Sequence, residues 1–309
     1  MAVLFLCANF PYNSDMAGEA WTVRRLLEWT TPFFSRKEVD SPRLSAELLL
    51  AYVLRVPRIK LYTDYERVLG EQDLTQYREL VQRAAEHEPI AYLTGIAHFF
   101  NLEFEVNRDV LIPRPDTETL VENVLQLVRN QSGLEAPRIL DLCTGSGCIA
   151  IALATRLKHA TVIASDISGN AAAVARRNAQ KLGVGDRVTV EEGDLYAALA
   201  GKVDVQPFHL IVANPPYIAT SQMASLPRNV REYEPVNALD GGLDGLMIHR
   251  RILEGAAERL VSGGRLFLEI AFDQGKNALE LMNRYPAFEE SRVLKDYGGR
   301  DRVLTARRS

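Results

Sequence analysis

Ile139-Leu140-Asp141-Leu142-Cys143-Thr144-Gly145-Ser146-Gly147-Cys148 is a short apolar run that breaks into a glycine turn and opens a helical pattern. Residues 139–142 read as a buried strand and 148–157 as the helix after it. The alternation continues with a strand at 161–165, a helix at 170–182, and strands at 188–191 and 210–213. A helix near 246–261 leads to a strand at 265–270, and 289–307 can supply a closing pair. Strands alternating with helices imply an α/β domain built on a parallel sheet.

Upstream of Pro137 the pattern differs. Residues 21–88 read as helical. Ser41 before Pro42 looks like an N-cap with proline at the first helical position. Leu44, Leu48, Ala51 and Tyr52 then form one apolar stripe, and Leu74, Tyr77, Val81 and Ala84 form another. Their expected role is the core of a small helical bundle that ends at Pro89. Phe100, Leu102, Phe104 and Val106 alternate with polar residues, so this stretch reads as a strand or hairpin between two domains. Two prolines stiffen Ile112-Pro113-Arg114-Pro115-Asp116, and a helix fits from about 117 to 130. The expected division is a tail at 1–15, a helical domain at 16–90, a hairpin linker at 91–112 and an α/β domain at 113–309. The tail resembles neither its neighbours nor a targeting signal, and Met16 is a candidate natural start.

Composition narrows the function classes. The chain has 309 residues, 47% hydrophobic and 25% charged, as expected of a globular protein of about two domains. With 36 basic against 40 acidic residues, the net charge of −4 gives no cationic excess for a nucleic-acid backbone. Cys7, Cys143 and Cys148 are too few and too irregular for a disulfide framework. The apolar start at 2–8 is too short to span a bilayer and lacks a preceding basic region, so a cytoplasmic protein with no membrane partner is expected. The five histidines are scattered, and no metal site is expected.

Glycines after a buried strand let the backbone approach a ligand where a Cβ would collide. The second strand of the α/β region ends in Asp166, whose carboxylate suits a ribose diol. Gly145-x-Gly147-x-x-Ala150 also satisfies a dinucleotide fingerprint, which keeps a dehydrogenase in view. Two features point elsewhere. Asp141 sits at the approach to the loop, and the strand at 210–213 ends in Asn214-Pro215-Pro216-Tyr217.

The second motif has its own chemistry. An amide or aromatic-amine nitrogen is a poor nucleophile because its lone pair is delocalised. Two acceptors that hold its N–H groups aim that lone pair at an electrophilic methyl carbon. The Asn214 side-chain oxygen and the Pro215 carbonyl are the natural pair. The prolines stiffen the turn, and Tyr217 offers a flat face. Catalysis is then positioning and electrostatics, with no covalent enzyme intermediate. The bland reading, a rigid turn between strand and helix, is weakened by the glycine loop and Asp166 upstream.

From about 21 to 307 the chain resembles the peptide chain release factor glutamine methyltransferases. The resemblance rests on Glu88-Pro89-Ile90-Ala91-Tyr92-Leu93-Thr94-Gly95, Ile112-Pro113-Arg114-Pro115-Asp116-Thr117-Glu118 and the glycine loop. It continues through Asn214-Pro215-Pro216-Tyr217-Ile218, Glu234-Pro235 and Asp240-Gly241-Gly242-Leu243-Asp244-Gly245-Leu246. It implies a helical N-terminal domain that recognises the release factor and a seven-stranded, mostly parallel class I (Rossmann-like) methyltransferase domain. The implied cofactor is S-adenosylmethionine, held by Asp141, Cys143, Thr144, Gly145, Ser146, Gly147, Asp166, Asp194, Leu195 and Asn214. The implied substrate is the glutamine of the Gly-Gly-Gln motif of class I release factors, held by Asn214, Pro215, Pro216 and Tyr217. A monomer is expected. Leu195 departs from the bulky aromatic of related sequences, and Asp116 replaces a commoner Glu.

Arg114 and Glu118 are read two ways, as flanking the active-site mouth or as an inter-domain salt-bridge pair. Gln274 matches a family glutamine, with no mechanism evident from sequence. The competing enzyme is an adenine-N6 methyltransferase acting on nucleic acid, which shares the four-residue motif. A non-enzymatic S-adenosylmethionine-binding scaffold is the remaining alternative.

Overall fold

A computed structural model describes residues 20–201 and 206–309. The expectations for the tail at 1–15 and for Met16 lie outside the described residues. The described residues divide into two compact units, with the boundary between Thr94 and Gly95.

The described part of the first unit is helical: α1 (Val23–Arg36), α2 (Pro42–Leu54), α3 (Lys60–Thr63), α4 (Glu71–Ala85) and α5 (Ile90–Thr94). Helix α1 is capped by the Thr22 hydroxyl, which accepts from the Arg25 N–H. Pro42 opens α2, yet Ser41 has φ +45° and its side chain makes no capping bond. The expected α2 stripe is also shifted. Leu44 and Tyr52 are exposed, whereas Ala46, Leu49, Leu50, Val53 and Leu54 are buried. The α4 stripe has the expected phase, with Tyr77, Val81 and Ala84 in the core. Inside α2 a buried carboxylate, Glu47, accepts from Arg43, Arg58 and Tyr62. Pro89 does not end the helical region, because α5 follows it.

The second unit begins with an antiparallel hairpin, β1 (Ile96–Phe99) and β2 (Leu102–Glu105). A 3₁₀ turn at Pro115–Thr117 leads into α6 (Glu118–Asn130). The α/β alternation follows: β3 (Arg138–Leu142), α7 (Cys148–Arg156), β4 (Thr161–Asp166), α8 (Gly169–Lys181), β5 (Val188–Glu192) and β6 (Phe208–Ala213). After a short α9 (Arg228–Arg231) come α10 (Met247–Arg259), β7 (Leu260–Glu269), α11 (Gly275–Met282), β8 (Phe288–Lys295) and β9 (Asp301–Arg308). The seven strands lie in the order β5-β4-β3-β6-β7-β9-β8. Those from β5 to β7 are parallel, and β9 runs antiparallel to both of its neighbours. This is the seven-stranded, mostly parallel sheet expected.

The central strands are mostly apolar, as expected of strands covered on both faces; Leu140, Leu142, Ile211 and Ala213 are all fully buried. Strand order reverses between β3 and its two parallel neighbours, β4 and β6. Ligands of open α/β sheets bind at such a reversal, beyond the carboxyl ends of the strands. The hairpin belongs to this unit and is fastened to α8. Buried Asn178 accepts from the Glu105 N–H and donates to the Glu105 carbonyl, while Arg177 pairs with the Glu105 carboxylate. Among the described residues no helix is long and apolar enough to cross a membrane.

Candidate active site

The carboxyl ends of β3, β4 and β6 open onto a cavity of about 530 Å³. The turn after β3 folds tightly over its floor. Thr144 N–H donates to the Ser165 carbonyl, and Gly147 N–H donates to the Thr144 carbonyl. Cys143 adopts φ +58°, a left-handed conformation that costs a side-chain-bearing residue about 1–2 kcal/mol. Such strain persists only where surrounding contacts hold it, and it marks functional turns. Gly145, at φ +56°, has open space where a Cβ would stand.

Cys143, Thr144, Gly145, Ser146, Asp166, Asp194, Leu195 and Asn214 all line this cavity. Asp141 and Gly147 do not; they brace the turn from beneath. One Asp141 oxygen accepts from the Thr144 hydroxyl at 2.6 Å and the Ala150 N–H at 3.2 Å, and the other has no partner. Burial pushes its carboxyl up to about 7, against the pull of those two donors. Gly147 caps α7 at φ +82°, and a Cβ there would meet Ile151 Cδ1 at 2.9 Å. Burial also raises the thiols of Cys143 and Cys148, the latter to about 12, which disfavours a reactive thiolate at either.

Asp166 closes β4 with each oxygen engaged once, by Gly145 N–H at 2.8 Å and Ser168 N–H at 2.9 Å. Each oxygen keeps acceptor capacity for a diol. Asp194 is held by Arg251 at 2.7 Å, and Leu195 takes φ +49° beside it.

Asn214 follows β6 and lies on the walls of two cavities, the large one and a smaller one of about 180 Å³. Pro216 faces the large cavity and Tyr217 the small one, while Pro215 is buried. Asn214 Nδ2 donates to Thr117 Oγ1 at 3.2 Å, which turns the amide oxygen to the opposite side. The Tyr217 hydroxyl donates to the buried Glu269 carboxyl at 3.2 Å.

The turn is gripped from behind by segments that were visible in the sequence without a role. The glycine loop at 240–246 lies against it: Gly241 N–H donates to the Ile218 carbonyl, and Ile218 N–H to the Leu239 carbonyl. A Cβ on Gly245 would sit 2.2 Å from the Tyr217 carbonyl. Gln274 supplies the missing mechanism for its position by donating to that carbonyl at 2.8 Å. Arg114 and Glu118 do not pair with each other. Arg114 bonds buried Glu234 at 2.6 Å, and Glu234 also accepts from the Ile112 N–H. This ties the proline strap to the wall of both cavities, where Arg114 itself stands. Glu118 instead accepts from the Phe100 N–H at 2.7 Å.

Sequence reasoning passed over Thr117, Asn178 and Glu269. Asn178 also donates to the Ser146 carbonyl at 2.9 Å, joining the hairpin to the glycine turn. These residues sit in ordinary helical or strand patterns, and only long-range contacts reveal them. Among the described residues no group of three or more His, Cys, Asp or Glu could hold a metal ion.

Comparison with known proteins places this geometry in a family. A model of the PrmC N-terminal domain matches residues 25–95, and one of the methyltransferase small domain matches 116–228. A release factor glutamine methyltransferase from Rhodopirellula baltica is 40% identical over 290 residues, covering 94% of this chain and 97% of the relative. One from Geobacter sulfurreducens is 42% identical over 289 residues, covering 94% and 98%. One from Moorella thermoacetica is 43% identical over 288 residues, covering 93% and 99%. The N-terminal domain of human METTL16, solved with SAH, superposes with a TM-score of 0.50 at 17% identity, over 67% of this chain and 76% of that one. At that identity the likeness is one of fold. With relatives at 40% or more identity along nearly its whole length, the chain belongs to the release factor glutamine methyltransferase family.

Proposed function

We propose that this enzyme methylates the side-chain amide nitrogen of the glutamine in the Gly-Gly-Gln motif of class I peptide chain release factors, acting as a monomer in the cytoplasm. The methyl donor is S-adenosylmethionine, which when bound supplies an electrophilic methyl carbon on a sulfonium. The fit is supported by the volume of the large cavity, the open space at Gly145 and the acceptor capacity left on Asp166. Cys143 to Ser146 are the residues to hold the methionyl part, Asp166 the ribose, and Asp194 with Leu195 the adenine.

The observation that carries the reading is the place of Asn214 between two cavities with its amide oxygen released by Thr117. The smaller cavity, lined by Leu111, Ile218, Leu226, Val230 and Leu239 together with Arg114 and Tyr217, suits an extended side chain ending in an amide. Asn214 Oδ1 and the Pro215 carbonyl accept the two N–H groups of that amide and draw its lone pair out of conjugation. The apolar walls exclude water and strengthen these contacts. No general base is required before transfer, because the sulfonium charge is neutralised as the bond forms, and the surplus proton can leave to water.

The test is incubation with labelled S-adenosylmethionine and unmodified release factor, followed by peptide mapping. One methyl group on the Gly-Gly-Gln glutamine, lost in Asn214→Ala, is the expected result. Label on duplex DNA or RNA instead of on the protein would reject it.

A further inference from the structure

The large cavity is unevenly charged. Four carboxylates, Asp109, Asp166, Asp194 and Asp240, line it against two guanidinium groups, Arg114 and Arg251. S-adenosylmethionine carries two positive groups, the sulfonium and the α-ammonium, and one negative group, the α-carboxylate. An acidic cavity favours the first two and opposes the third. The carboxylate therefore needs a donor of its own, because an anion drawn out of water without a partner is costly.

The glycine turn offers none at Thr144, Gly145 or Gly147. Thr144 N–H is spent on the Ser165 carbonyl, Gly145 N–H on Asp166 and Gly147 N–H on the Thr144 carbonyl. Arg251 is spent at the far end of the ligand, where it holds Asp194 at 2.7 Å beside Leu195, the place assigned to the adenine. Arg114 remains. It shares with Asn214 a place on the walls of both cavities, and the methyl-bearing sulfur has to approach Asn214. The carboxylate hangs from that sulfur on a short aliphatic chain, within reach of the same wall.

Arg114 is held ready for such a contact. It stands between Pro113 and Pro115, and the second proline favours the extended conformation observed, φ −99° and ψ 141°. Glu234, whose side chain is 1% exposed, accepts from Arg114 Nη2 at 2.6 Å and from the Ile112 N–H at 3.2 Å. Guanidinium and strap are thus fixed together. Glu234 is the one hydrogen-bond partner of Arg114 among the described residues, which leaves the Nε and Nη1 donors for a second acceptor. The planar fork matches the geometry of a carboxylate.

We propose that Arg114 binds the α-carboxylate of S-adenosylmethionine, with Glu234 as the residue that positions it. The proposal rests on the reading that places S-adenosylmethionine in the large cavity. It makes the proline strap part of the cofactor site, and it gives that site a means of selecting a ligand with an intact amino-acid end.

The test is calorimetric titration of full-length wild type, Arg114→Gln, Arg114→Lys and Asp166→Ala with S-adenosylmethionine and with its decarboxylated form, in the absence of release factor. Decarboxylation removes the anion and leaves both positive groups. Wild type should bind S-adenosylmethionine about 10- to 100-fold more tightly than the decarboxylated form, the worth of one hydrogen bond between charged groups. Arg114→Gln should lose most of that factor toward S-adenosylmethionine and bind the decarboxylated form as well as wild type or better, because a like charge has left the wall. A general loosening of the strap would weaken both ligands together, so the ratio of the two Kd values isolates the contact. Arg114→Lys, which keeps the charge without the fork and leaves Glu234 a partner, should fall between, and it carries the comparison if Arg114→Gln does not fold. Asp166→Ala, aimed at the ribose, should weaken both ligands and leave their ratio at the wild-type value. A wild-type ratio in the Arg114 variants overturns the proposal. So does an unchanged S-adenosylmethionine Kd beside a raised KM for release factor, which would give Arg114 to the protein substrate. If Asp166→Ala weakens neither ligand, the placement of S-adenosylmethionine in this cavity is what fails, and the proposal falls with it.

Discussion

At the scale of single residues, the site separates groups that face the cavities from groups that set their direction. Asn214 is of the first kind. Removing one preorganised oxyanion-hole donor typically costs about 10²–10³ in rate, and by analogy Asn214→Ala, which removes a preorganised acceptor, should lose about that much kcat on release factor. Its fold should persist, because Thr117 loses only a weak donor. Single-turnover kinetics beside a melting curve check both halves. Asp141 is of the second kind, and its signature is in stability. Its folded carboxyl titrates near 7 against an ordinary value of 3.8, so the unfolded chain releases the proton first. Between about pH 4 and 7 the unfolded state binds fewer protons, and stability falls as pH rises through that window before levelling off above it. Asp141→Asn keeps an acceptor for Thr144 and Ala150 and removes the titration. Its loss of Tm between pH 4.5 and 7.5 should be smaller than that of wild type by an amount worth on the order of 1–3 kcal/mol. Equal slopes in parallel thermal melts would reject the assignment.

Among elements, what the sequence makes legible depends on how local the information is. The motif from Asn214 to Tyr217 can be read because four adjacent residues carry its chemistry. Thr117 and Glu269 cannot, because they meet that motif across 97 and 52 residues of chain. The strands at 139–142, 161–165 and 210–213 are bounded by glycine, aspartate and proline, and their observed limits differ by at most two residues. In helix α2 the apolar spacing points to the wrong face for a different reason. Leu44, Ala46, Leu48, Leu49, Leu50, Ala51, Val53 and Leu54 cover most of its circumference, so apolar spacing fits more than one face. The buried Glu47 reads as solvent-facing until Arg43, Arg58 and Tyr62 are seen around it. Leu50 is fully buried and Leu44 is 42% exposed. Leu50→Ala should therefore destabilise by about 2–5 kcal/mol, and Leu44→Ala by roughly 0.5 kcal/mol or less. Denaturant unfolding of the two variants discriminates the phases directly, and the reverse order would restore the face expected from sequence.

On the scale of the whole molecule, the hairpin decides where a functional unit begins. Reading 91–112 as a linker assigns it to neither domain, whereas its contacts assign β1 and β2 to the sheet-bearing unit. Buried Asn178 spends its amide on the Glu105 backbone and on the Ser146 carbonyl of the glycine turn. Asp109, Val110 and Leu111, just after the hairpin, form part of the large cavity wall. A chain beginning at 113 would lose that wall and strand a buried amide, whose lost hydrogen bonds cost about 1–3 kcal/mol. A chain of 95–309 keeps every residue that lines the cavity. The expected outcome is that 95–309 folds cooperatively and binds S-adenosylmethionine within about tenfold of the full-length Kd, while 113–309 melts several degrees lower and binds more weakly. Calorimetric titration of both pieces measures this. Equal affinity in the two would mean that Asn178 and the hairpin only decorate the unit, and that the glycine turn holds its strained shape from the sheet alone.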